Sequence, residues 1–321
     1  MHPLIARIHP AFRTALFAWL LSRSALWLAA PTRTLEGGIQ TPVPGLMKYA
    51  IEHLSGLLSN EWAIELLTWL PWIGLEITML MAGVAVYRFA RSTDLPQVAE
   101  RVCWLWFFNP VIALTALDWG TQMAISLGAL AIAGVVTHRP RRAALASVIA
   151  VGCRIEFILM WPAIAVASWI RHRPDKEAAI LPLLSTFAIP VAFSSWIITT
   201  WHLAGTAQTS LRDLDGGVGW RTSQTLMPSS PGEYLLLAAT ATALVLMARY
   251  VRRFPLWYLL GAVPPLLWPL FQDPAHWAAI SMAWALPAFV YFGLATDDRS
   301  VERPLILGFV VAFIFAVWSL G

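Results

Sequence analysis

Four charged residues lie inside long apolar stretches of the sequence: Arg23, Glu76, Arg154 and Glu156. A charge among apolar groups is costly unless it is paired, so each of the four is a candidate functional residue. Arg23 and Glu76 either form an ion pair that joins two adjacent helices or contact a ligand directly. Arg154 has a planar fork of N–H donors that suits phosphate or pyrophosphate. The alternative for Arg154 is an ion pair with Glu156 or another neighbour.

The composition excludes several classes of protein. Hydrophobic residues make up 58% of the 321 residues, and charged residues only 12%. Ordinary soluble domains have about twice that share of charge, which excludes a water-soluble enzyme, a nucleic-acid-binding protein and a disordered chain. The two cysteines adjoin neither each other nor a histidine, which excludes a zinc site and a disulfide framework. The sequence therefore predicts an all-α polytopic membrane protein.

The apolar stretches set the predicted number of transmembrane helices. A helix needs about 20 mainly apolar residues to cross a hydrocarbon core roughly 30 Å thick. The stretches that meet or approach this length predict about nine full transmembrane helices. They are 11–30, 66–90, 102–117, 121–137, 178–201, 234–247, 256–271, 277–295 and 305–320.

A tenth apolar stretch, between Arg142 and Arg171, is interrupted at Arg154 and Glu156. Both of its flanks are basic, so we expect both ends on the same side of the membrane. Its first arm, residues 143–151, would rise only about 14 Å as a helix, which is about half of the hydrocarbon core. The sequence therefore predicts a short helical hairpin whose tip carries Arg154 and Glu156 into the membrane.

Lys and Arg are distributed unequally over the two sides of the predicted membrane. With a cytoplasmic N-terminus, sixteen of the 22 lie on the cytoplasmic side, four lie outside and two lie within membrane segments. Positive residues accumulate on the cytoplasmic side, so this pattern predicts a cytoplasmic N-terminus and an outside C-terminus. Arg outnumbers Lys by 20 to 2, which is typical of a GC-rich genome and favours a bacterial inner membrane.

The predicted topology places two long connections, residues 31–65 and 202–233, outside a single membrane-embedded domain of residues 1–321. Residues 45–58 of the first have their apolar side chains on one helical face, which predicts an amphipathic helix on the outer leaflet. The outer carboxylates could form the rim of an active site that opens outward. They are Glu36, Glu52, Glu61, Glu65, Asp118, Asp213, Asp215, Glu233 and Asp273.

Several short motifs resemble the polytopic GT-C glycosyltransferases. In that family an aromatic-Asn-Pro segment opens a span and a polar outer turn follows, as in Trp106-Phe107-Phe108-Asn109-Pro110 and then Asp118-Trp119-Gly120-Thr121-Gln122. Cys153-Arg154 with Trp161-Pro162 resembles the short paired helices that end in an Arg. Ser22-Arg23, and Pro274-Ala275-His276-Trp277 through Leu286-Pro287-Ala288-Phe289, resemble segments of the PIG-V-like mannosyltransferases.

The resemblance implies a GT-C-like fold and a specific reaction. Such enzymes transfer a sugar, often mannose, from a polyprenyl-phosphate carrier to a glycan or lipid acceptor on the non-cytoplasmic side. A carboxylate in the first outer loop deprotonates the acceptor hydroxyl, and basic side chains hold the lipid phosphate. The predicted partners are the sugar lipid, the glycan or lipid acceptor and membrane lipids, and no nucleic acid. A partner membrane subunit is expected on the alternative function given below.

Two carboxylates are the candidate catalytic residues. Glu36, in Leu35-Glu36-Gly37-Gly38, is the candidate general base, and its alternative is a solvated loop carboxylate. Asp118 is the candidate second acid, which would contact the acceptor or a divalent metal, and its alternative is a polar cap of its turn. The candidate substrate-binding residues are Arg154, Gln122, Glu52 and His276.

The chain also departs from the pattern of the family. No Asp occurs in residues 31–65, and His276 stands where the family has an Arg. The alternative function is therefore a non-catalytic membrane subunit or scaffold with a GT-C-like fold.

Overall fold

A computed structural model describes most of the predicted spans and few of the connections. The described residues are 9–29, 56, 60–92, 98–115, 119–137, 139–172, 180, 183–184, 186–204, 231–253, 256–267, 293–294 and 299–320. Nearly all of the predicted amphipathic helix 45–58 and of the predicted span 277–295 lies outside them. The second long connection, residues 202–233, overlaps the described residues only at its two ends.

The described residues form an all-α structure, which confirms the predicted fold class at this level. Ten α-helices have nine residues or more, and one has five. In chain order they are α1 (Pro10–Ala29), α2 (Glu61–Arg91), α3 (Ala99–Phe107), α4 (Pro110–Leu114), α5 (Trp119–Val136), α6 (Pro140–Cys153), α7 (Trp161–His172), α8 (Ala188–Ala204), α9 (Pro231–Tyr250), α10 (Leu256–Leu267) and α11 (Arg299–Leu320). Two 3₁₀ segments, Ile155–Met160 and Val251–Arg253, follow α6 and α9 in the chain.

Two of these helices are long and apolar enough to cross a membrane, judged by length and composition. They contain the apolar segments Trp69–Arg91 of α2 and Arg299–Trp318 of α11. Two shorter apolar segments, Gly120–Gly134 and Phe157–Ile170, lie in and around α5 and α7.

The predicted span 102–117 consists of two helices, α3 and α4, rather than one. Pro110 has no backbone N–H and disfavours helical backbone at the preceding residue. Asn109 accordingly has an extended conformation, with φ −74° and ψ 130°, and its side chain accepts a 2.9 Å hydrogen bond from the backbone N–H of Val111. The Asn-Pro pair therefore ends α3 and caps α4.

Helix α5 is the centre of the described structure and packs against α2 on one side and α6 on the other. Almost all of its side chains from Gly120 to Gly134 are buried. Gly134 allows a close approach to α6, because a Cβ atom at this position would lie 3.0 Å from the Cβ of Ala143. Helix α1 packs on α2 and α3, α8 on α6, α11 on α4, and α7 on α10.

The chain breaks its helical path at Arg154, as the sequence predicts for a hairpin tip. Arg154 has extended backbone, with φ −148° and ψ 117°, between α6 and the 3₁₀ segment. The side chain of Arg154 contacts Thr121, in the first turn of α5, and Phe157 packs on Gly128, about two turns further along α5. The chain therefore turns back along α5 after Arg154.

The first arm of this hairpin is longer than the sequence predicts. Helix α6 has 14 residues and rises about 21 Å, whereas the predicted arm of residues 143–151 would rise about 14 Å. The difference arises at both ends. Pro140 takes the first helical position, where its missing N–H has no cost, and the helix continues through Cys153.

Large hydrophobic side chains are also exposed along the outward faces of several helices. In α11, Leu307, Val311, Ile314 and Trp318 are each more than half exposed. Leu28, at the end of α1, is 84% exposed. Contiguous exposed apolar surface of this kind marks a region that contacts other apolar matter, such as lipid or protein.

Candidate functional site

The most polar part of the buried core surrounds Arg23 and joins α1, α2 and α5. Arg23 is almost fully buried, and its Nε donates a 3.0 Å hydrogen bond to Glu76 Oε2. Its Nη2 donates a 2.8 Å hydrogen bond to Gln122 Oε1 and also contacts the sulfur of Met79. The indole Nε1 of Trp19, one turn before Arg23 in α1, donates a 2.7 Å hydrogen bond to the same carboxylate oxygen. We call these five residues the Arg23 cluster.

The ion pair between Arg23 and Glu76 confirms one of the two interpretations that the sequence allows. Counting residues along two adjacent apolar helices places both charges at a similar depth, and the structure brings them into contact. A buried charge needs both a counter-charge and hydrogen-bond partners. The Arg23 cluster provides both for the guanidinium.

Gln122 connects this cluster to a fourth helix. Its Nε2 donates a 2.8 Å hydrogen bond to the backbone carbonyl of Ile112, in α4. The side chain is buried, so its amide is engaged with Arg23 on one side and with α4 on the other. In this structure Gln122, a candidate substrate-binding residue, is part of the buried polar network.

Arg154 lies on the other side of the same region of α5. Its Nε donates a 3.0 Å hydrogen bond to Oγ1 of Thr121, the residue that precedes Gln122. Successive residues of an α-helix point in directions about 100° apart at nearly equal depth. The start of α5 therefore orients two guanidinium groups, those of Arg23 and Arg154, at one level of the molecule. Arg23 is enclosed, whereas Arg154 is only half-buried.

Three buried polar atoms, one in α2 and two around the break between α3 and α4, have no hydrogen-bond partner among the described residues. They are Oε1 of Glu76, Nε1 of Trp106 and Nδ2 of Asn109. Trp106 and Asn109 flank the break between α3 and α4. Buried atoms of this kind are usually satisfied by water or by a bound group.

The remaining candidate site residues lie outside the described residues. These are Glu36, Asp118, Glu52 and His276, and the side chain of Glu156 is also outside. Asp118 immediately precedes α5 in the sequence. Within the described part of the chain, no group of three or more His, Cys, Asp or Glu side chains could hold a metal ion.

Thr121 contacts Arg154, Met79 contacts Arg23, and Trp19 contacts Glu76, the partner of Arg23. None of the three was predicted from the sequence as a site residue. Thr121 adjoins Gln122, and Trp19 lies four residues before Arg23. Side chains four residues apart lie on the same face of a helix, so the spacing of Trp19 and Arg23 was the available signal.

Comparison of the chain with protein-family models, with curated proteins and with solved structures finds no match.

Proposed function

We propose that this chain is a multi-pass protein of a bacterial inner membrane, with about nine full transmembrane helices. Four observations support this proposal: the apolar composition, the two span-length helices, the exposed hydrophobic faces and the asymmetry of Lys and Arg. In this arrangement the N-terminus is cytoplasmic and the C-terminus is outside.

We further propose that the protein is a GT-C-type glycosyltransferase, with mannose as the favoured sugar. The observation that supports this best is the position of Arg154, at the break between two short helices. Its guanidinium is half-buried and is oriented by a 3.0 Å hydrogen bond to Thr121. An oriented guanidinium in a partly desolvated site binds phosphate more strongly than one in water, because charge interactions strengthen as the local dielectric falls.

The reaction would use this guanidinium to stabilise the leaving group. Glu36 or Asp118 takes the proton from the acceptor hydroxyl, and the resulting oxygen nucleophile attacks the anomeric carbon of the sugar. The bond between that carbon and the phosphate oxygen breaks, and polyprenyl phosphate leaves with the bond electrons. Arg154 stabilises the negative charge on this phosphate. If the site also holds a divalent metal, Asp118 is the residue that would bind it.

Sugar transfer can be tested in membranes that contain the chain, with polyprenyl-phosphate mannose as donor. The released polyprenyl phosphate is measured for the wild type and for Arg154→Gln, Glu36→Gln and Asp118→Asn. We expect Arg154→Gln to slow release about 100-fold or more, as loss of one stabilising donor does. The Gln or Asn variant of the carboxylate that acts as the base should slow release of polyprenyl phosphate by about 10²–10⁴-fold.

Matched controls separate catalysis from folding and surface charge. Arg141→Gln removes an exposed Arg, and Glu302→Gln removes a half-buried carboxylate remote from Arg154 in the sequence. Both variants should release polyprenyl phosphate at the wild-type rate. Wild-type rates in Glu36→Gln, Asp118→Asn and the double amide would refute the catalytic assignment.

The second candidate function is a non-catalytic membrane subunit of the same fold. It is favoured by the lack of Asp in residues 31–65 and by His276 in the position where the family has an Arg. On this alternative, wild-type membranes release no polyprenyl phosphate above the background of membranes that lack the chain, and the chain co-purifies with a second membrane protein.

A further inference from the structure

A groove with a cationic end lies between α2, α5 and α6, away from the Arg23 cluster. Its volume is about 490 Å³, which falls within the roughly 300–1,000 Å³ of small-molecule sites. Its walls are mostly apolar, and three arginines line it: Arg88, Arg139 and Arg142. None of its lining residues in the described part of the chain is acidic, and none of the three arginines forms an ion pair with another described residue.

The three helices each contribute a stripe of residues to this groove. On α2 the stripe is Met81, Val84, Ala85 and Arg88, and on α6 it is Ile149, Ala146, Leu145 and Arg142. The spacing is i, i+3, i+4 and i+7 in both, which is one face of an α-helix. Each of these two stripes ends in an arginine. The lining residues of α5 are followed by Thr137, directly after the helix, and by Arg139. The positive charges therefore collect at one end of an apolar channel.

Small residues keep the channel open. Ala85, Ala133 and Ala146 line it, and the close contact between Gly134 and Ala143 fixes α6 against α5 at the cationic end. The outer parts of the walls are open to the surroundings, since Met81, Leu145 and Ile149 are all about half exposed or more. A long apolar chain could therefore enter the groove from the side of the molecule.

We propose that this groove binds one anionic glycerophospholipid of the cytoplasmic leaflet. Its phosphate group would contact Arg88, Arg139 and Arg142, and an acyl chain would lie in the apolar channel. The charge complementarity supports this occupant, because basic pockets between membrane helices on the cytoplasmic side suit acidic headgroups. The predicted topology places all three arginines on the cytoplasmic side. The inference rests on the proposed membrane location and not on sugar transfer.

The test measures lipid binding by the purified full-length protein in neutral detergent micelles. Native mass spectrometry counts the molecules of phosphatidylglycerol or phosphatidylcholine that remain bound during a titration. We expect one tightly bound phosphatidylglycerol and at least tenfold weaker binding of phosphatidylcholine. The triple variant R88Q/R139Q/R142Q should bind phosphatidylglycerol about 100-fold more weakly, because each basic residue contributes substantially to binding of acidic lipid.

Two controls separate this groove from general surface charge. The variant R141Q/R252Q/R299Q also removes three positive charges, from exposed arginines that do not line the groove. It should bind phosphatidylglycerol within threefold of the wild type. Ala85→Phe fills the channel without a change in charge and should weaken binding at least tenfold, whereas Ala248→Phe, on an exposed face of α9, should not.

Specific outcomes would overturn the inference. Equal binding of phosphatidylglycerol and phosphatidylcholine would show that no headgroup is recognised. An equal loss of binding in the two triple variants would show that phosphatidylglycerol responds to the positive charge of the whole surface and not to the three arginines of the groove. Displacement of phosphatidylglycerol by polyprenyl phosphate at lower concentration would assign the groove to the carrier lipid instead. Each of these results is independent of whether Glu36, Asp118 or Arg154 supports sugar transfer.

Discussion

Replacement of Glu76 by Gln is the sharpest test of the Arg23 cluster. The two side chains have nearly the same shape, so the substitution removes a charge and creates no cavity. The amide oxygen can still accept from Trp19, and Arg23 keeps its hydrogen bond to Gln122. What is lost is the attraction between two opposite charges whose nearest atoms are 3.0 Å apart. The effect on stability is therefore mainly electrostatic.

The expected cost follows from the burial of the pair. The side chains of Arg23 and Glu76 are 4% and 15% exposed. Loss of one partner of a buried ion pair costs about 3–5 kcal/mol, and two unit charges 4 Å apart attract by about 4 kcal/mol at an effective dielectric constant of 20. We therefore expect Glu76→Gln to lower the free energy of unfolding by about 3–5 kcal/mol.

A more exposed ion pair provides the matched control. Arg101 of α3 pairs with Glu302 of α11, and these side chains are 58% and 24% exposed. Exposed pairs contribute about 0–1 kcal/mol, so Glu302→Gln should change stability little. Unfolding in mixed micelles with a denaturing detergent can be followed by the fluorescence of the 18 tryptophans.

A double-mutant cycle completes this test. Arg23→Met alone leaves the Glu76 carboxylate without its counter-charge, whereas Arg23→Met with Glu76→Gln removes both charges. The loss of unfolding free energy in the double variant should therefore be smaller, by about 2 kcal/mol or more, than the sum of the losses in the two single variants. Additive losses, or a cost for Glu76→Gln no greater than for Glu302→Gln, would refute the claim that the pair is coupled in a buried site.

Two further predictions concern packing and the orientation of Arg154. Gly83→Ala should lower the free energy of unfolding by about 1–3 kcal/mol, because the new Cβ would lie 2.3 Å from the ring of Phe107. The control Gly308→Ala should be neutral or stabilising, because no atom lies within 4 Å of the added Cβ. Equal thermal stability of the two variants would contradict the close packing of α2 on α3. Thr121→Val removes the acceptor for Arg154 Nε and should slow release of polyprenyl phosphate about tenfold with unchanged expression, as loss of a hydrogen bond to a charged group does. An unchanged rate would show that Thr121 does not orient the guanidinium.

The all-α class and the bounds of the first helix could be predicted from apolar length alone. The predicted span 11–30 differs by one residue at each end from α1, Pro10–Ala29. The depth of Arg23 and Glu76 along their helices also predicted their contact, because a buried charge requires a partner. The length of an apolar stretch and the depth of a charge along its helix depend on one helix or on two adjacent helices, so both can be predicted from the sequence.

Features that depend on three or more helices could not be predicted in this way. Gln122 meets Arg23 across 99 residues of sequence, and no periodicity relates the two. The groove lined by Arg88 and Arg142 has a readable stripe on each helix, but only the packing of α2 and α6 on either side of α5 brings the stripes together. The roles of Glu36, Asp118, Glu52 and His276 stay predictions, since these residues lie outside the described residues.

The Arg23 cluster has a consequence for the synthesis of the chain. Glu76 follows Arg23 by 53 residues, and Gln122 follows it by 99. At about 5–20 residues per second, a ribosome produces Arg23 roughly 3–10 s before its counter-charge. In a membrane, α1 would expose an unneutralised guanidinium during that interval, so α1 alone is a poor anchor. On the proposed membrane location, the pair α1 and α2 is the smallest unit that the lipid bilayer would accept at low cost, and the insertion machinery would hold the first helix until the second arrives.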